Sequence, residues 1–124
     1  MIHERMIEVV ARRFHVLGEP YRLRILQQLQ PGPKTVGQIV CCLDGNQPNV
    51  SRHLQILFDA GLVGRERAGN SIYYSIADPM VFELCDLVCR STAQRAARVQ
   101  RLLSFRGSRS RTGRARVLPV RGGN

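Results

Sequence analysis

The chain has 124 residues, 44% hydrophobic and 23% charged, which suits one domain with a modest core. It contains no run of about 18 apolar residues, so no membrane-spanning helix is expected. Its first stretch, MIHERMIEVVARRF, is charged throughout and has no apolar core for a secretory signal, so a cytoplasmic protein is expected. The net charge of +10 is uneven: residues 1–89 hold nine Arg or Lys and nine Asp or Glu, whereas residues 90–124 hold ten Arg and no acid. A surplus of this sign favours a polyanionic partner.

In chain order, a first helix is predicted over residues 2–17. Ile2, Met6, Val9, Val10, Phe14 and Leu17 form its apolar stripe, and Gly18 ends it. Pro20 opens a second helix with Leu23, Ile25, Leu26 and Leu29 as its apolar set, stopped by Pro31-Gly32-Pro33. Thr35 with Gln38 resembles a capping box for a third helix, TVGQIVCCL, whose apolar residues are Val36, Ile39, Val40 and Leu43. Asp44-Gly45 makes a short turn into a fourth helix capped by Asn46, where Pro48 is tolerated in the first turn. Third helix, tight turn and fourth helix together have the spacing of a helix-turn-helix.

The fourth helix and the segment after it, NQPNVSRHLQILFDAGLVGRERAGNSIYYS, are the most informative part of the chain. Val50, Leu54, Leu57 and Phe58 fall on one side and face a core. Gln47, Asn49, Ser51, Arg52, His53 and Gln55 are expected to be exposed. Amides, hydroxyls and a guanidinium are the groups that read base edges and hold phosphates. Gly61 is a left-handed stop. A hairpin then starts at Leu62-Val63, turns at Gly69-Asn70 and returns through residues 72–76, with Arg65 and Arg67 rising toward its tip for phosphate contact. The plainer alternatives are an ordinary amphipathic surface helix and a solvated hairpin.

Asp78 and Pro79 are expected to start a fifth helix that reaches about Phe105. Val81, Cys85, Val88, Thr92, Ala96, Val99 and Leu103 recur along it at spacings of four and three, a seam too long for a domain this small to cover. The same helix of a second subunit would cover it, giving a homodimer; a helix lying on its own domain is the alternative. Residues 106–124 are rich in Gly, Ser and Arg without amphipathic period and are expected to be a disordered tail. Its six Arg suit either non-specific phosphate contact or solvation. The expected architecture is thus mostly α with a small β-hairpin: a winged helix-turn-helix over residues 1–105, dimeric through its terminal helices, followed by the tail.

Four cysteines stand at Cys41, Cys42, Cys85 and Cys89. In a reducing cytosol they are expected as thiols. Cys85 and Cys89 are four apart on a helix and share one face. Cys41 and Cys42 are adjacent and point about 100° apart in a regular helix, which is awkward for chelation. Thiolates favour thiophilic ions such as Zn(II), Cd(II), Cu(I) or As(III). Metal or metalloid sensing, redox or sulfur-species sensing, and plain core packing all remain open for these residues.

Taken together, FHVLGEPYRLRILQQL, QPNVSRHLQILFDAGLV and GRERAGNSIYYSI resemble the second-helix entry, recognition helix and wing of the ArsR/SmtB family of bacterial winged-helix repressors. The resemblance runs from about residue 14 to residue 92. It implies a homodimer that represses an operator and releases it on binding an inducer. It also implies DNA-reading roles for Gln47, Asn49, Ser51, Arg52 and His53. The effector sites of the best-known branches do not carry over. The cysteine pair of the arsenic and cadmium sensors falls on Thr35 and Gly37, and the second-helix cysteine of the persulfide sensors falls on Gln27 or Gln28. Asp78 can match the first of the Asp, His and Glu ligands of the zinc sensors, but residues 90–105 hold no His or acid to complete the set.

The expected function is therefore an effector-released repressor binding a double-stranded DNA operator, with no required cofactor and no membrane partner. A thiophilic ion such as As(III), Cd(II) or Zn(II), sensed by Cys85 and Cys89 with Cys41 or Cys42 as further ligands, is the expected effector. A redox- or sulfur-responsive repressor, or a DNA- or RNA-binding module without effector, are the alternatives. An enzyme is not expected: there is no Cys-x-x-Cys beside a βαβ unit, no glycine-rich phosphate loop and no Ser-His-Asp context.

Overall fold

Residues 2–109 are described by a computed structural model of the chain. Five helices and one hairpin follow in order: α1 (Glu4–Leu17), α2 (Pro20–Leu29), α3 (Val36–Cys42), α4 (Gln47–Asp59), β1 (Val63–Ala68), β2 (Ser71–Ile76) and α5 (Met80–Arg109). The chain divides into two units, Met1–Phe82 and Glu83–Asn124.

In the first unit, each helix starts where a side chain satisfies backbone N–H groups that the helix itself leaves open. Glu19 accepts from the Tyr21 N–H ahead of α2, with Pro20 in the first turn. Thr35 and Gln38 bond reciprocally in the predicted capping box. Asn46 Oδ1 accepts from the Asn49 N–H at 2.9 Å, fixing the start of α4. Gly61 takes φ 74°, the predicted left-handed stop that lets the chain leave α4 for the hairpin.

β1 and β2 pair antiparallel from Val63↔Ile76 to Ala68↔Ser71, which leaves Gly69-Asn70 as the two-residue turn. A third segment joins them: Lys34 and Tyr74 exchange backbone hydrogen bonds of 3.0 and 2.8 Å. This bridge ties the loop before α3 to the hairpin, and the sequence reading did not anticipate it. Lys34 Nζ also donates to the Gln28 carbonyl at 2.7 Å, which holds the same loop to α2.

The core lies among α2, α3, α4 and the base of the hairpin. Ile25, Leu26, Leu29, Ile39, Val50, Leu54, Leu57, Leu62 and Val81 are fully buried. Burial of each such side chain contributes about 1.5–3 kcal/mol. At the start of α5, Asp78 bonds the Met80 N–H and Arg13 of α1, the latter at 3.0 Å. The Arg13 hydrogen bond, then that from Met80, holds the Asp78 carboxyl below its usual range.

The second unit is the remainder of α5. This helix runs to Arg109, four residues beyond the predicted end at Phe105. The expected tail from residue 110 onward lies outside the described residues. Much of the predicted seam is open in the single chain: Val88, Val99 and Leu103 are exposed, as are Leu87 and Leu102 beside them. In the first unit, Met6, Val9 and Phe14 of α1 are likewise exposed. Among the described residues no helix is long and apolar enough to cross a membrane.

Candidate nucleic-acid interface

The short turn between α3 and α4 sets the angle at which α4 is presented. Gly45 in that turn has φ 149°, and a Cβ built there would overlap the Tyr21 hydroxyl. The position therefore needs glycine both for its backbone and for the close approach of α2.

α4 turns Val50, Leu54 and Leu57 into the core and leaves Gln47, Arg52 and Gln55 exposed, with Asn49 and Ser51 half-buried on the flank. The exposed groups are held in defined positions. Arg52 donates from Nη2 to Asn49 Oδ1 at 3.0 Å. Gln55 donates to Asp59 Oδ1 at 2.9 Å and accepts from Arg65 Nη1 at 3.1 Å. The Arg65 guanidinium also lies 4.0 Å from the centroid of the Phe58 ring, a cation–π contact. Arg65, read from sequence as a phosphate contact, thus fastens β1 to α4. Arg67, nearer the tip, is exposed.

His53 corrects the sequence reading. It is 7% exposed rather than on the open face. Its ring lies 5.2 Å from that of Tyr21, and its Nδ1 is 3.3 Å from Arg22 Nη1. Arg22 is itself buried and donates from Nε to the Val16 carbonyl at 2.6 Å. The signal was in the periodicity: His53 stands three after Val50 and four before Leu57, and Arg22 stands three and four before Ile25 and Leu26. Both polar residues sit on apolar stripes, and sequence reasoning missed their pairing. Glu19 Oε2 and the Tyr21 hydroxyl lie buried nearby without a hydrogen-bond partner.

Burial lowers the His53 pKa, and the charges of Arg22 and Arg52 lower it further against a small opposing effect of Glu19. The unfolded chain then binds the proton more readily than the folded one. The His53 contribution to stability is fully present above the ordinary imidazole value of about 6.5. It declines as pH falls below that value and levels off past the lowered folded-state value. Subtracting the stability–pH curve of His53→Gln from that of wild type should expose this slope. A flat difference would assign the acid sensitivity to other groups.

Two thiol pairs are present. Cys41 and Cys42 are exposed at the last turn of α3, and on α5 Cys85 is half-buried and Cys89 exposed. Burial, then the charge of Asp86, raises the Cys85 pKa. No group of three or more His, Cys, Asp or Glu able to hold a metal ion occurs among the described residues. Asp78, the residue matching the first zinc-sensor ligand, is engaged by Arg13 and Met80.

A capped helix with a polar outer face, preceded by a tight turn from α3 and followed by a hairpin fastened to it, defines a winged helix-turn-helix DNA-binding protein. Residues 19–64 match the model of the arsR family of bacterial regulatory proteins. A probable mercury resistance operon repressor of Streptomyces lividans is 38% identical over 90 residues, covering 73% of this chain and 72% of that protein. The crystal structure of Mycobacterium tuberculosis Rv0081 superposes with a TM-score of 0.65 at 32% identity, over 84% of this chain and 98% of that one. The homodimeric winged helix-turn-helix domain of Mb0332 from Mycobacterium bovis, a possible ArsR-family regulator, gives a TM-score of 0.64 at 34% identity, over 72% and 82% of the two chains. The chain belongs to the ArsR family, whose members are DNA-binding transcriptional regulators rather than enzymes.

Proposed function

We propose that this protein is a cytoplasmic, homodimeric repressor that reads an operator with the outer face of α4 and the wing. The observation that carries the reading is that face: Gln47, Asn49, Ser51 and Arg52 stand open to solvent or half-open, on a helix whose other side is locked into the core. Arg52 and Asn49 are the base readers, and Arg67 is the wing's phosphate contact. Gln55 and Arg65 act mainly by holding the wing to the helix. His53 acts from inside, by positioning α4. Arg52→Ala and Asn49→Ala should each weaken specific binding by about 1–3 kcal/mol without unfolding the protein. Operator titration by fluorescence anisotropy tests this, and wild-type affinity in both variants would remove α4 from the reading role.

The homodimer is supported by the exposed apolar residues of α1 and α5 and by the homodimeric state of the similar Mycobacterium bovis domain. A dimer presents two recognition helices to two half-sites, and their spacing decides operator affinity.

Release is proposed to act through Cys85 and Cys89, one turn apart on α5. Two thiols per chain on one helix face fit a thiophilic ion in donor type and spacing. The two sulfurs fill half of a tetrahedral site, so a zinc-like ion would need ligands beyond this pair. Cys41 and Cys42 are the remaining thiol donors of the chain. The similarity to a probable mercury resistance operon repressor supports the choice of thiophilic ions over other effector classes. Because the Cys85 thiol is held protonated, ion binding must displace that proton and should strengthen as pH rises. Operator release by As(III), Cd(II), Hg(II), Zn(II) and a polysulfide, in wild type and in Cys85→Ser and Cys89→Ser, tests the proposal. Release of both variants at wild-type effector concentration would place the sensor elsewhere. Release by polysulfide alone would favour the sulfur-responsive reading.

A further inference from the structure

A winged reader gains most of its sequence-independent affinity by neutralising phosphates with cations. The part of this chain that carries the reader has few to spare. Residues 1–89 balance nine cations against nine acids. Five of those cations are held by other groups of the chain: Arg13 with Asp78, Arg22 with Val16 and His53, Lys34 with Gln28, Arg52 with Asn49, and Arg65 with Phe58 and Gln55.

The second unit has the opposite character. After Asp86 the sequence holds no acid, while Arg90, Arg95, Arg98 and Arg101 are all exposed on α5. At 100° per residue they occupy one side of the helix, within an arc of about 140°, and span about 17 Å of its axis. Leu102 falls within the same arc, and the apolar residues Val99 and Leu103 lie on the adjoining side. None of the four arginines makes an ion pair among the described residues.

We propose that this arginine face of α5 is a second DNA-contact surface, which binds the phosphate backbone without reading sequence and supplies much of the protein's electrostatic affinity. The proposal rests on the DNA-reader assignment. Charge balance selects the occupant: a neutral reader needs cations from elsewhere in its own chain, and the acid-free stretch provides them. The surface divides the work, with α4 choosing the site and α5 adding affinity to any duplex.

The test compares the full chain with the triple variant Arg95→Gln/Arg98→Gln/Arg101→Gln, and with the matching triple Lys variant. Affinity for operator and for an unrelated duplex is measured from 50 to 200 mM salt, with sedimentation to check the oligomeric state. Each lost phosphate contact should flatten the slope of log affinity against log salt by about 0.9. The Gln variant should lose affinity for both duplexes by the same factor, leaving their ratio unchanged, and the Lys variant should retain the wild-type slope. An unchanged slope in the Gln variant, with operator still bound, overturns the arginine face alone. Absence of operator preference in wild type overturns the reader assignment instead. Binding to anionic phospholipid vesicles that is lost in the Gln variant, with the DNA slope unchanged, overturns the proposal in favour of a membrane surface.

Discussion

Val88→Glu is expected to convert the protein to a monomer and to abolish specific operator binding in the same step. Val88 is 54% exposed in the single chain, and Val99 and Leu103, further along the same seam of α5, are about as open. A seam of apolar residues exposed along one helix marks a surface that a partner covers. A carboxylate at Val88 would be buried without a counter-charge in a dimer but solvated in a monomer, so it opposes association and leaves the chain's own core untouched. One recognition helix without its twin reads half a site. Affinity should then drop toward the non-specific level, on the order of a thousandfold or more. Sedimentation and operator titration should report the two losses at the same protein concentrations. A dimeric variant with wild-type operator affinity would show that α5 does not hold the subunits together.

Gly45→Ala is expected to destabilise the first unit by about 2–3 kcal/mol, since it adds a strained backbone to a steric overlap. The position combines φ 149° with the Tyr21 hydroxyl in the space a Cβ would need. Tyr21→Phe by itself should be neutral or slightly stabilising, because the buried hydroxyl has no hydrogen-bond partner to lose. Introduced into Gly45→Ala, it should restore part of the lost stability by opening that space, and the remainder should persist as backbone strain. Thermal melts of the three variants give this coupling directly. Equal melting of Gly45→Ala and wild type would mean that the turn before α4 tolerates a side chain and that the close approach of α2 does not set its geometry.

Local signals explain why so much of the fold was legible beforehand. Caps and stops depend on residues a few positions apart: Thr35 with Gln38, Asn46 with Asn49, and Gly61 after α4 all took their expected places. Periodicity marked Val50, Leu54 and Leu57 as the inner side of α4, and the Gly69-Asn70 turn determined the hairpin register. The expected exposure fails at His53, a polar residue on an apolar stripe: its position three after Val50 and four before Leu57 places it inside.

Local order along this chain, the identity of the recognition helix and the asymmetry of charge are properties of residue type and short spacing, so the amino-acid sequence alone determined them. Tertiary structure decided which polar groups remain free to meet DNA. Arg65 is drawn onto Phe58 and Gln55, Arg22 onto Val16 and His53, and Lys34 pairs its backbone with Tyr74 across 40 residues of chain. Such partners are brought together only when α2, α4 and the hairpin pack on one core. No periodicity within a single element carries that information.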